Sequence, residues 1–318
     1  MKYWRFKNIL LPLLLLLAAA FLSLYCGKAP VDWQNIADDA IFELRLIRVL
    51  AAFTAGASLS LAGLIFQAVL RNVLAEPFTL GISGGASVGA ALAIIFQLHV
   101  FTVWAIPLMA SAGALITLLT VLFMASGKGA ESMLLSGVIA GTCASSLLMY
   151  LVSTADQHDL AGITWWMLGD LQAADSNLLI FSLTMTAAST LVCYLGAREL
   201  NALAMGGEYA WSLGTNVRLF QTLFIGIGSL LAAQTIAMTG MIAFVGLIVP
   251  HLVRRICGSD HRRIVLTTVL CGGGFLMLCD LLSRTIHPQH ELPIGVLTAA
   301  VGGGSFIYIL NRHRRNRQ

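Results

Sequence analysis

Side chains that could do acid–base or metal chemistry are few in this chain and lie far apart. Asp280 is the only acid expected deep inside an apolar run, and Arg284 follows four residues later, where both side chains lie on one helix face. The spacing favours a structural ion pair over a proton relay, because a relay needs several titratable groups along a path. His287 and His290 could bind a metal, but no third ligand is near them in sequence. The sequence therefore predicts no catalytic residue and no metal site.

No stretch fits the nucleotide-binding pattern GxxxxGK[ST]. The nearest piece, SGKGA at 126–130, lacks both the leading glycine and the hydroxyl residue. The six cysteines include no CxxC pair, so neither a disulfide framework nor a metal cluster is indicated. The chain is predicted not to be an enzyme, to hold no cofactor and to have no ATP site of its own.

The elements that carry these residues are predicted to be transmembrane helices. Of the residues, 58% are hydrophobic and 11% are charged, whereas soluble domains carry about 25% charged residues. The apolar runs are continuous, which favours spanning helices over the alternating strands of a barrel. The expectation is an all-α polytopic membrane protein, a single transmembrane domain over 1–318 with ten transmembrane helices. These helices are predicted at 9–25, 44–70, 82–98, 101–125, 133–152, 176–196, 221–238, 239–255, 264–282 and 293–310.

Basic residues predict the orientation of these helices. Ten helices place both chain ends on the same side of the membrane. If that side is the cytoplasm, fifteen of the 19 Lys and Arg residues lie on the cytoplasmic side. Because cytoplasmic loops carry an excess of Lys and Arg, both termini are predicted to be cytoplasmic.

The segment 198–220 (RELNALAMGGEYAWSLGTNVRLF) interrupts the apolar runs with polar residues. The pair Gly206–Gly207 can start a short helix and Gly214 can end it. Ala210 and Leu213 would share one face of this helix, which suits docking into a groove on another protein. The alternative is an ordinary connecting loop.

Arg45 and Arg48 stand at the start of the second predicted helix. Cations at a helix N-terminus oppose the helix dipole, so packing of that helix is not expected to explain them. They either snorkel to the interface or, together with Arg284, dock an acidic partner on the outer face.

Five stretches, in order along the chain, resemble the FecCD-type permeases of bacterial ABC importers for iron-siderophore, haem and vitamin B12. They are RLIRVLAAFTAGASLSLAGLIFQAVLRNVLAEPFTLGISGGASVGA (45–90), WWMLGDL (165–171), LNALAMGGEYAWSLG (200–214), GMIAFVGLIVPHLVRRICGSDHRR (240–263) and DLLSRTIHPQHELPIGVLTAAVGGGSFIYIL (280–310). Within the last, HPQHELPIG looks most like the ferric-citrate branch.

The resemblance implies a type II ABC importer permease fold in the bacterial inner membrane. It implies a second permease subunit, identical or related, two cytoplasmic ABC ATPase subunits and a periplasmic substrate-binding protein, with no nucleic acid. The implied function is ATP-driven import of an iron chelate (a siderophore, ferric citrate or haem) by alternating access. The alternatives are a vitamin B12 importer and a gradient-driven secondary transporter. The residues do not distinguish one chelate from another, nor a homodimer from a heterodimer.

The resemblance also implies roles for particular residues, including 198–220 as the cytoplasmic coupling segment. The residues implied in ATPase coupling are Leu203, Gly206, Gly207, Glu208, Ala210, Leu213 and Gly214. Those implied in docking the binding protein are Arg45, Arg48 and Arg284. Those implied in a cytoplasmic gate are Asn72 and Leu74, and those implied along the pathway are Ser136, Gly137 and Gly141.

Overall fold

The computed structural model describes residues 2–27, 39–125, 129–171, 175–287 and 289–315, which form helices and contain no strand. The α-helices are α1 (Lys2–Tyr25), α2 (Ala40–Val69), α3 (Ile82–Ile95), α4 (Ala105–Ala125), α5 (Gly129–Thr154), α6 (Gln157–Leu168), α7 (Ser176–Leu195), α8 (Ala197–Met205), α9 (Gly207–Ser212), α10 (Val217–Thr239), α11 (Val245–Cys257), α12 (His261–Thr285) and α13 (Ile294–Arg315). The predicted all-α fold is confirmed.

Ten of these helices overlap the ten predicted spans, and the other three are the short helices α6, α8 and α9. Within the described residues, six helices are long and apolar enough to cross a membrane: α2, α4, α5, α7, α10 and α12. Shorter apolar helical stretches occur in α1, α3 and α13. The chain is therefore a multi-pass membrane protein.

Helix α2 lies at the centre of the bundle. In the most apolar 18-residue stretch of α2, 89% of the residues are buried, whereas in the corresponding stretch of α5 only 17% are buried. Helix α2 therefore forms the core and α5 lies at the periphery. Gly56 of α2 packs against the backbone of Gly272 in α12, and Gly63 packs against Gly246 in α11. Small residues let helix backbones approach closely where lipid provides no hydrophobic driving force.

Helices α2 and α12 run antiparallel, since the start of α2 (Arg48) meets the end of α12 (Asp280) and their middles meet at Gly56 and Gly272. The start of α12 therefore lies at the same end of the bundle as the end of α2. Helix α8 packs there through Asn201. We call this the α8–α9 end, and the opposite end the Arg48 end.

Two helices begin inside the bundle rather than at its surface. α3 has 14 residues and α11 has 13, so each is about 20 Å long and too short for a hydrocarbon core of about 30 Å. Each starts after a left-handed residue, Gly81 (φ 71°) and Phe244 (φ 69°). The predicted helix at 239–255 was therefore wrong in its first turn, because Gly240 (φ 70°, ψ −160°) ends α10 and residues 240–244 are not helical.

The connection between α2 and α3, which we call segment 71–81, folds back into the bundle from the α8–α9 end. Leu80 is 1% exposed and lies against Gly137, eight residues past the start of α5, which is about 12 Å along that helix. Ala75 is fully buried as well. Segment 71–81 thus extends into the interior of the bundle, where α3 begins.

Candidate functional sites at the two ends of the bundle

Helix α8 is fixed to the bundle by its apolar face and by one amide side chain. Leu200 and Leu203 are buried, at 0% and 2% exposure. Asn201 Nδ2 donates to Asp260 Oδ1 at 2.9 Å, and Asn201 Oδ1 accepts from the His261 amide at 2.9 Å. The same oxygen lies 2.7 Å from His261 Nδ1. We call Asn201, Asp260 and His261 the Asn201 cluster, and it ties α8 to the first turn of α12.

Asp260 is the N-cap of α12 and accepts from the Arg262 amide at 3.1 Å. Partial burial alone would raise its pKa. The hydrogen bonds from Asn201 and the Arg262 amide, with the guanidinium groups of Arg263 and Arg262 nearby, instead hold the pKa of Asp260 below its usual range. The carboxylate is therefore charged, as both an N-cap and a partner for Asn201 should be.

Helix α9 follows α8 after a single residue and has a different surface. Gly206 joins them at φ 126° and ψ 150°, a backbone conformation that is essentially restricted to glycine. Ala210 is buried, whereas Tyr209, Trp211 and Leu213 are 44%, 76% and 49% exposed. The predicted short helix thus exists, but the predicted face shared by Ala210 and Leu213 is wrong, because Ala210 packs into the bundle and Leu213 caps the end of α9.

The predicted coupling residues divide by environment. Leu203, Gly206 and Ala210 are buried, Glu208 and Leu213 are exposed, and Gly207 begins α9. Gly214 turns the chain after α9 at φ 79°. Sequence reasoning missed Tyr209 and Trp211 because it followed helical spacing from Ala210, whereas these aromatics flank that residue on both sides.

The predicted gate residues lie just after α2, at the α8–α9 end. Asn72 Oδ1 accepts from the Leu74 amide at 2.9 Å, and the Leu74 side chain is 48% exposed. Arg71 before them is left-handed, at φ 50°. Its guanidinium lies over the joint between α8 and α9, where a methyl group at Gly206 would stand 3.3 Å from Arg71 Nη1. Segment 71–81 and the α8–α9 joint are therefore in contact.

Glu76 is a second deep acid that sequence reasoning missed. Its side chain belongs to the buried part of segment 71–81, at 8% exposure, and lies near the Phe244 amide at the start of α11. The expectation that Asp280 is the only such acid was wrong, because Glu76 stands in a connection that the sequence places at the surface. No local sequence pattern predicts that a connection such as segment 71–81 folds back into the bundle.

Four charged side chains form a network at the Arg48 end. Arg48 Nε lies 2.8 Å from Asp280 Oδ1, and Arg48 Nη1 lies 2.8 Å from Glu291 Oε2. Arg284 Nε forms an ion pair with Asp280 Oδ2 at 3.0 Å, which confirms the pairing predicted along α12. Asp280 is 1% exposed, so its charge depends on both arginines.

Arg45 and Arg284 also stabilise the end of α1. Arg45 Nη1 donates to the carbonyls of Leu24 and Tyr25, at 2.8 and 3.3 Å, and Arg284 Nη2 donates to the carbonyl of Ser23 at 3.2 Å. Cations are favourable at the C-terminus of a helix, where carbonyls lack partners. The expectation that packing does not explain Arg45 and Arg48 was wrong, because it considered the dipole of their own helix and not the neighbouring helix and acids.

The predicted docking arginines are therefore close together but largely enclosed. Arg45 and Arg284 are 7% and 5% exposed. The open side of the network is at Glu291, which is 32% exposed in its side chain. A cavity of about 450 Å³ adjoins Arg48 and Glu291 and is also lined by Trp165 and His290.

The predicted pathway residues lie where α5 meets segment 71–81. A methyl group at Gly137 would stand 2.7 Å from the Leu80 α-carbon, and one at Gly141 would stand 3.1 Å from the Gly81 α-carbon. Ser136 is 5% exposed. In this chain these small residues allow α5 to pack closely on the start of α3.

The two histidines considered as metal ligands stack on each other, with ring centroids 5.4 Å apart. His287 Nδ1 accepts from the His290 amide at 3.1 Å. Within the described residues, no group of three His, Cys, Asp or Glu side chains could hold a metal ion.

Comparisons with known proteins agree with this architecture. The FecCD transport family matches residues 14–312. The ABC transporter permease protein YvrB of Bacillus subtilis is 36% identical over 281 residues, which are 86% of this chain and 79% of that protein. The vitamin B12 import system permease protein BtuC of Salmonella typhi is 35% identical over 308 residues, which are 95% of this chain and 94% of that protein.

Solved structures give the same result. An ABC transporter assigned to the metal-chelate type, in an inward-facing conformation, matches with a TM-score of 0.87 and 28% identity, over 96% of this chain and 99% of that one. PsaBC from Streptococcus pneumoniae matches with a TM-score of 0.60 and 15% identity, over 83% of this chain and 90% of that one, and shows the fold alone. The chain is thus an ABC importer permease, and it belongs to the FecCD transport family.

Proposed function

We propose that this chain is the permease subunit of an ATP-driven importer that carries a metal chelate across the bacterial inner membrane. The observation that carries the proposal is that α9 and its C-cap expose Tyr209, Trp211 and Leu213 at one end of the bundle, next to α8, which Asn201 ties to α12. Exposed aromatic clusters are typical of protein contacts. The contact proposed here is with a cytoplasmic ATPase subunit, which hydrolyses the ATP.

The other partners follow from the remaining surfaces. A second permease subunit, identical or related, covers α5, whose apolar side chains Leu135, Val138 and Ile139 are 63%, 56% and 44% exposed. A periplasmic substrate-binding protein docks at the Arg48 end, and two ATPase subunits bind at the α8–α9 end. The chain 1–318 acts as one transmembrane domain with both termini in the cytoplasm.

For docking, the geometry favours exchange of ion-pair partners. Arg48 is held by Glu291 at the edge of the open cavity, so an acidic side chain of the binding protein can replace Glu291 there. Arg45 and Arg284 stabilise this site by hydrogen bonds to the end of α1.

Transport proceeds by alternating access. ATP binding moves the ATPase subunits and with them α9. The contact of Arg71 with Gly206 passes the movement to Asn72 and Leu74. The nucleotide needs only to favour one of two conformations by a few kcal/mol to change which side is open.

For the cargo, an iron chelate (siderophore, ferric citrate or haem) is the first candidate. Vitamin B12, a cobalt chelate, is the second, and the identity to BtuC over 95% of this chain favours it. Membership of an ABC permease family does not support the gradient-driven alternative.

Uptake into proteoliposomes tests the proposal. The chain is reconstituted with its co-purified ATPase subunits and binding protein, and ferric citrate, a ferric hydroxamate, haemin and cyanocobalamin are offered separately. Uptake of one chelate that requires ATP and stops with a hydrolysis-deficient ATPase supports it. Uptake that continues without ATPase subunits contradicts it.

Cysteine labelling in membranes prepared from cells that express the chain tests the orientation. In a cysteine-free background, Leu213→Cys should react with a membrane-impermeant maleimide in inside-out vesicles and not in right-side-out spheroplasts. The reverse pattern would place α9 outside and contradict ATPase coupling.

A further inference from the structure

The turn between α11 and α12 concentrates positive charge at the α8–α9 end of the bundle. Residues 254–263 contain four arginines and one acid, Asp260. The arginines are Arg254, Arg255, Arg262 and Arg263. Cations are favourable in the last turn of a helix and unfavourable in the first turn. The helix dipole therefore explains the two arginines at the end of α11 but not the two at the start of α12.

Two of the four arginines are used inside the chain. The Arg254 guanidinium donates to Gln67 Oε1 of α2, and Arg263 Nε pairs with the N-cap carboxylate of α12 at 3.5 Å. Among the described residues, no ion pair involves Arg255 or Arg262. Both side chains are exposed. These two arginines are therefore available to an anion that comes from outside the chain.

Exposed apolar side chains accompany these two arginines. Leu252 and Ile256, which are 42% and 70% exposed, flank Arg255 on α11, and Leu266, which is 38% exposed, follows Arg262 by four residues on α12. Helix α11 runs towards the α8–α9 end and α12 runs away from it. Leu252 and Leu266 therefore lie about 5 Å deeper in the bundle than the neighbouring arginines.

The exposed faces of α11 and α12 point to the same side. Val253 and Cys257 of α11 and Ile264 and Val265 of α12 belong to one hydrophobic core, and only residues 258–260 connect the two helices. Because both helices turn their inner faces to that core, their exposed faces turn away from it together. We call the exposed residues the α11–α12 face; they are Leu252, Arg255, Ile256, Arg262 and Leu266.

We propose that the α11–α12 face binds an anionic membrane lipid, with its phosphate on Arg255 and Arg262 and its acyl chains along the three apolar side chains. The planar guanidinium group matches phosphate geometry, and basic pockets between transmembrane helices bind anionic headgroups. The order of groups matches a lipid, since charge lies at the end of the bundle and the leucines lie deeper. A soluble protein bound to the arginines would leave those leucines uncovered. The proposal goes beyond import, because it needs neither cargo nor ATP hydrolysis.

The experiment measures lipid binding to the full chain, purified with its ATPase subunits in detergent, by native mass spectrometry. Phosphatidylglycerol and phosphatidylcholine are titrated separately, and phosphatidylglycerol should bind more tightly, because the choline cation is repelled by the arginines. Arg255→Gln and Arg262→Gln should each weaken phosphatidylglycerol binding about fivefold, and together about 25-fold, since each arginine near an anionic surface contributes about that factor. Arg262→Lys keeps the charge and should retain most of the affinity.

Two controls separate a specific site from general attraction. Arg198→Gln combined with Arg218→Gln removes two other exposed arginines at the α8–α9 end and should leave phosphatidylglycerol binding unchanged. Ile256→Ser removes part of the apolar surface and keeps the charge, so it should weaken the binding of both lipids alike.

Equal affinity for the two lipids, or equal losses in the Arg255/Arg262 and Arg198/Arg218 double variants, would overturn the proposal. Glycerol 3-phosphate carries the same phosphate without acyl chains and should not displace the lipid. Displacement at equimolar concentration would identify a site for a soluble anion instead.

The ATPase subunit is the competing occupant of the α11–α12 face. If the Arg255/Arg262 double variant binds the ATPase subunit more weakly and phosphatidylglycerol as tightly as before, the arginines belong to a protein interface and the proposal is wrong. If the double variant does not fold, the two single variants decide by the same comparison. A failed uptake assay together with specific lipid binding here would reject the importer function and retain the lipid site.

Discussion

Helices α8 and α9 are separated by one glycine, yet their surroundings are opposite. α8 buries Leu200 and Leu203 and is tied to α12 by Asn201. α9 buries Ala210 and leaves Trp211 76% exposed. A short helix with so little buried surface is not stable by itself, so α9 keeps its place because α8 is fixed. The pair combines a rigid support with an open contact surface.

The difference matters for the ATPase coupling proposed above. Force applied at α9 needs a stiff connection to the bundle, which the Asn201 cluster provides at the start of α12. Helix α12 then continues to Asp280 and Arg284 at the opposite end. Under the proposed ATPase coupling, a partner bound to α9 would push on α12, the helix that also carries Asp280 and Arg284 at the Arg48 end.

The largest expected effect concerns the exposed helix α9. Trp211→Ala should weaken binding of the ATPase subunit by about 2 kcal/mol or more, roughly thirtyfold, because buried aromatic anchors dominate protein interfaces. The Tm of the isolated chain should stay unchanged, since Trp211 packs on little of the bundle. Titration of the purified ATPase subunit onto the chain in nanodiscs measures the affinity.

The matched control is Trp165→Ala, since Trp165 is 64% exposed and lines the cavity beside Arg48 at the other end. Equal loss of ATPase affinity in both variants would mean that α9 is not the specific contact.

Asn201→Leu should have the complementary effect. It removes the partner of the His261 amide and of Asp260, and an orphaned polar group costs about 1–3 kcal/mol. The free energy of unfolding, followed in detergent by denaturant titration, should fall by that amount, while Trp211 remains available to the ATPase subunit.

Ser212→Ala serves as the control for Asn201, because the exposed Ser212 hydroxyl donates to the Tyr209 carbonyl within α9 itself. A loss of stability in Ser212→Ala as large as in Asn201→Leu would remove the distinction between the two helices.

The smallest effect concerns the joint itself. Gly206→Ala forces a side chain onto a backbone at φ 126° and ψ 150° and should cost about 1 kcal/mol. Gly207→Ala is the neighbouring control, because Gly207 is the first helical residue of α9 and a methyl group added there would stand at an ordinary contact distance of 3.6 Å from Val217 Cγ1. Alanine is favoured over glycine in helices, so this variant should be neutral or slightly more stable. Comparable losses in both variants, measured by the same titration, would argue against a special joint.

Local patterns were sufficient for most of the helices and for the existence of α9. Apolar runs of spanning length predicted the helical segments. The bilayer core contains no water to hydrogen-bond the backbone, and a helix pairs its backbone groups within one segment. The pair Gly206–Gly207 predicted a helix start, and the structure has one at Gly207. The ion pair of Asp280 with Arg284 could be predicted as well, since residues four apart lie on the same face of a helix.

By itself, the sequence determined that this is a polytopic helical membrane protein with a short helix after Gly206, because hydrophobicity and glycine conformation act over a few residues. Tertiary structure alone decided that Glu76 lies near Phe244, that Asn201 meets Asp260, and that Arg45 binds the end of α1. Each of these contacts joins residues far apart in the chain. A buried polar group takes whichever partner the packed helices bring within reach, and no local pattern records that choice.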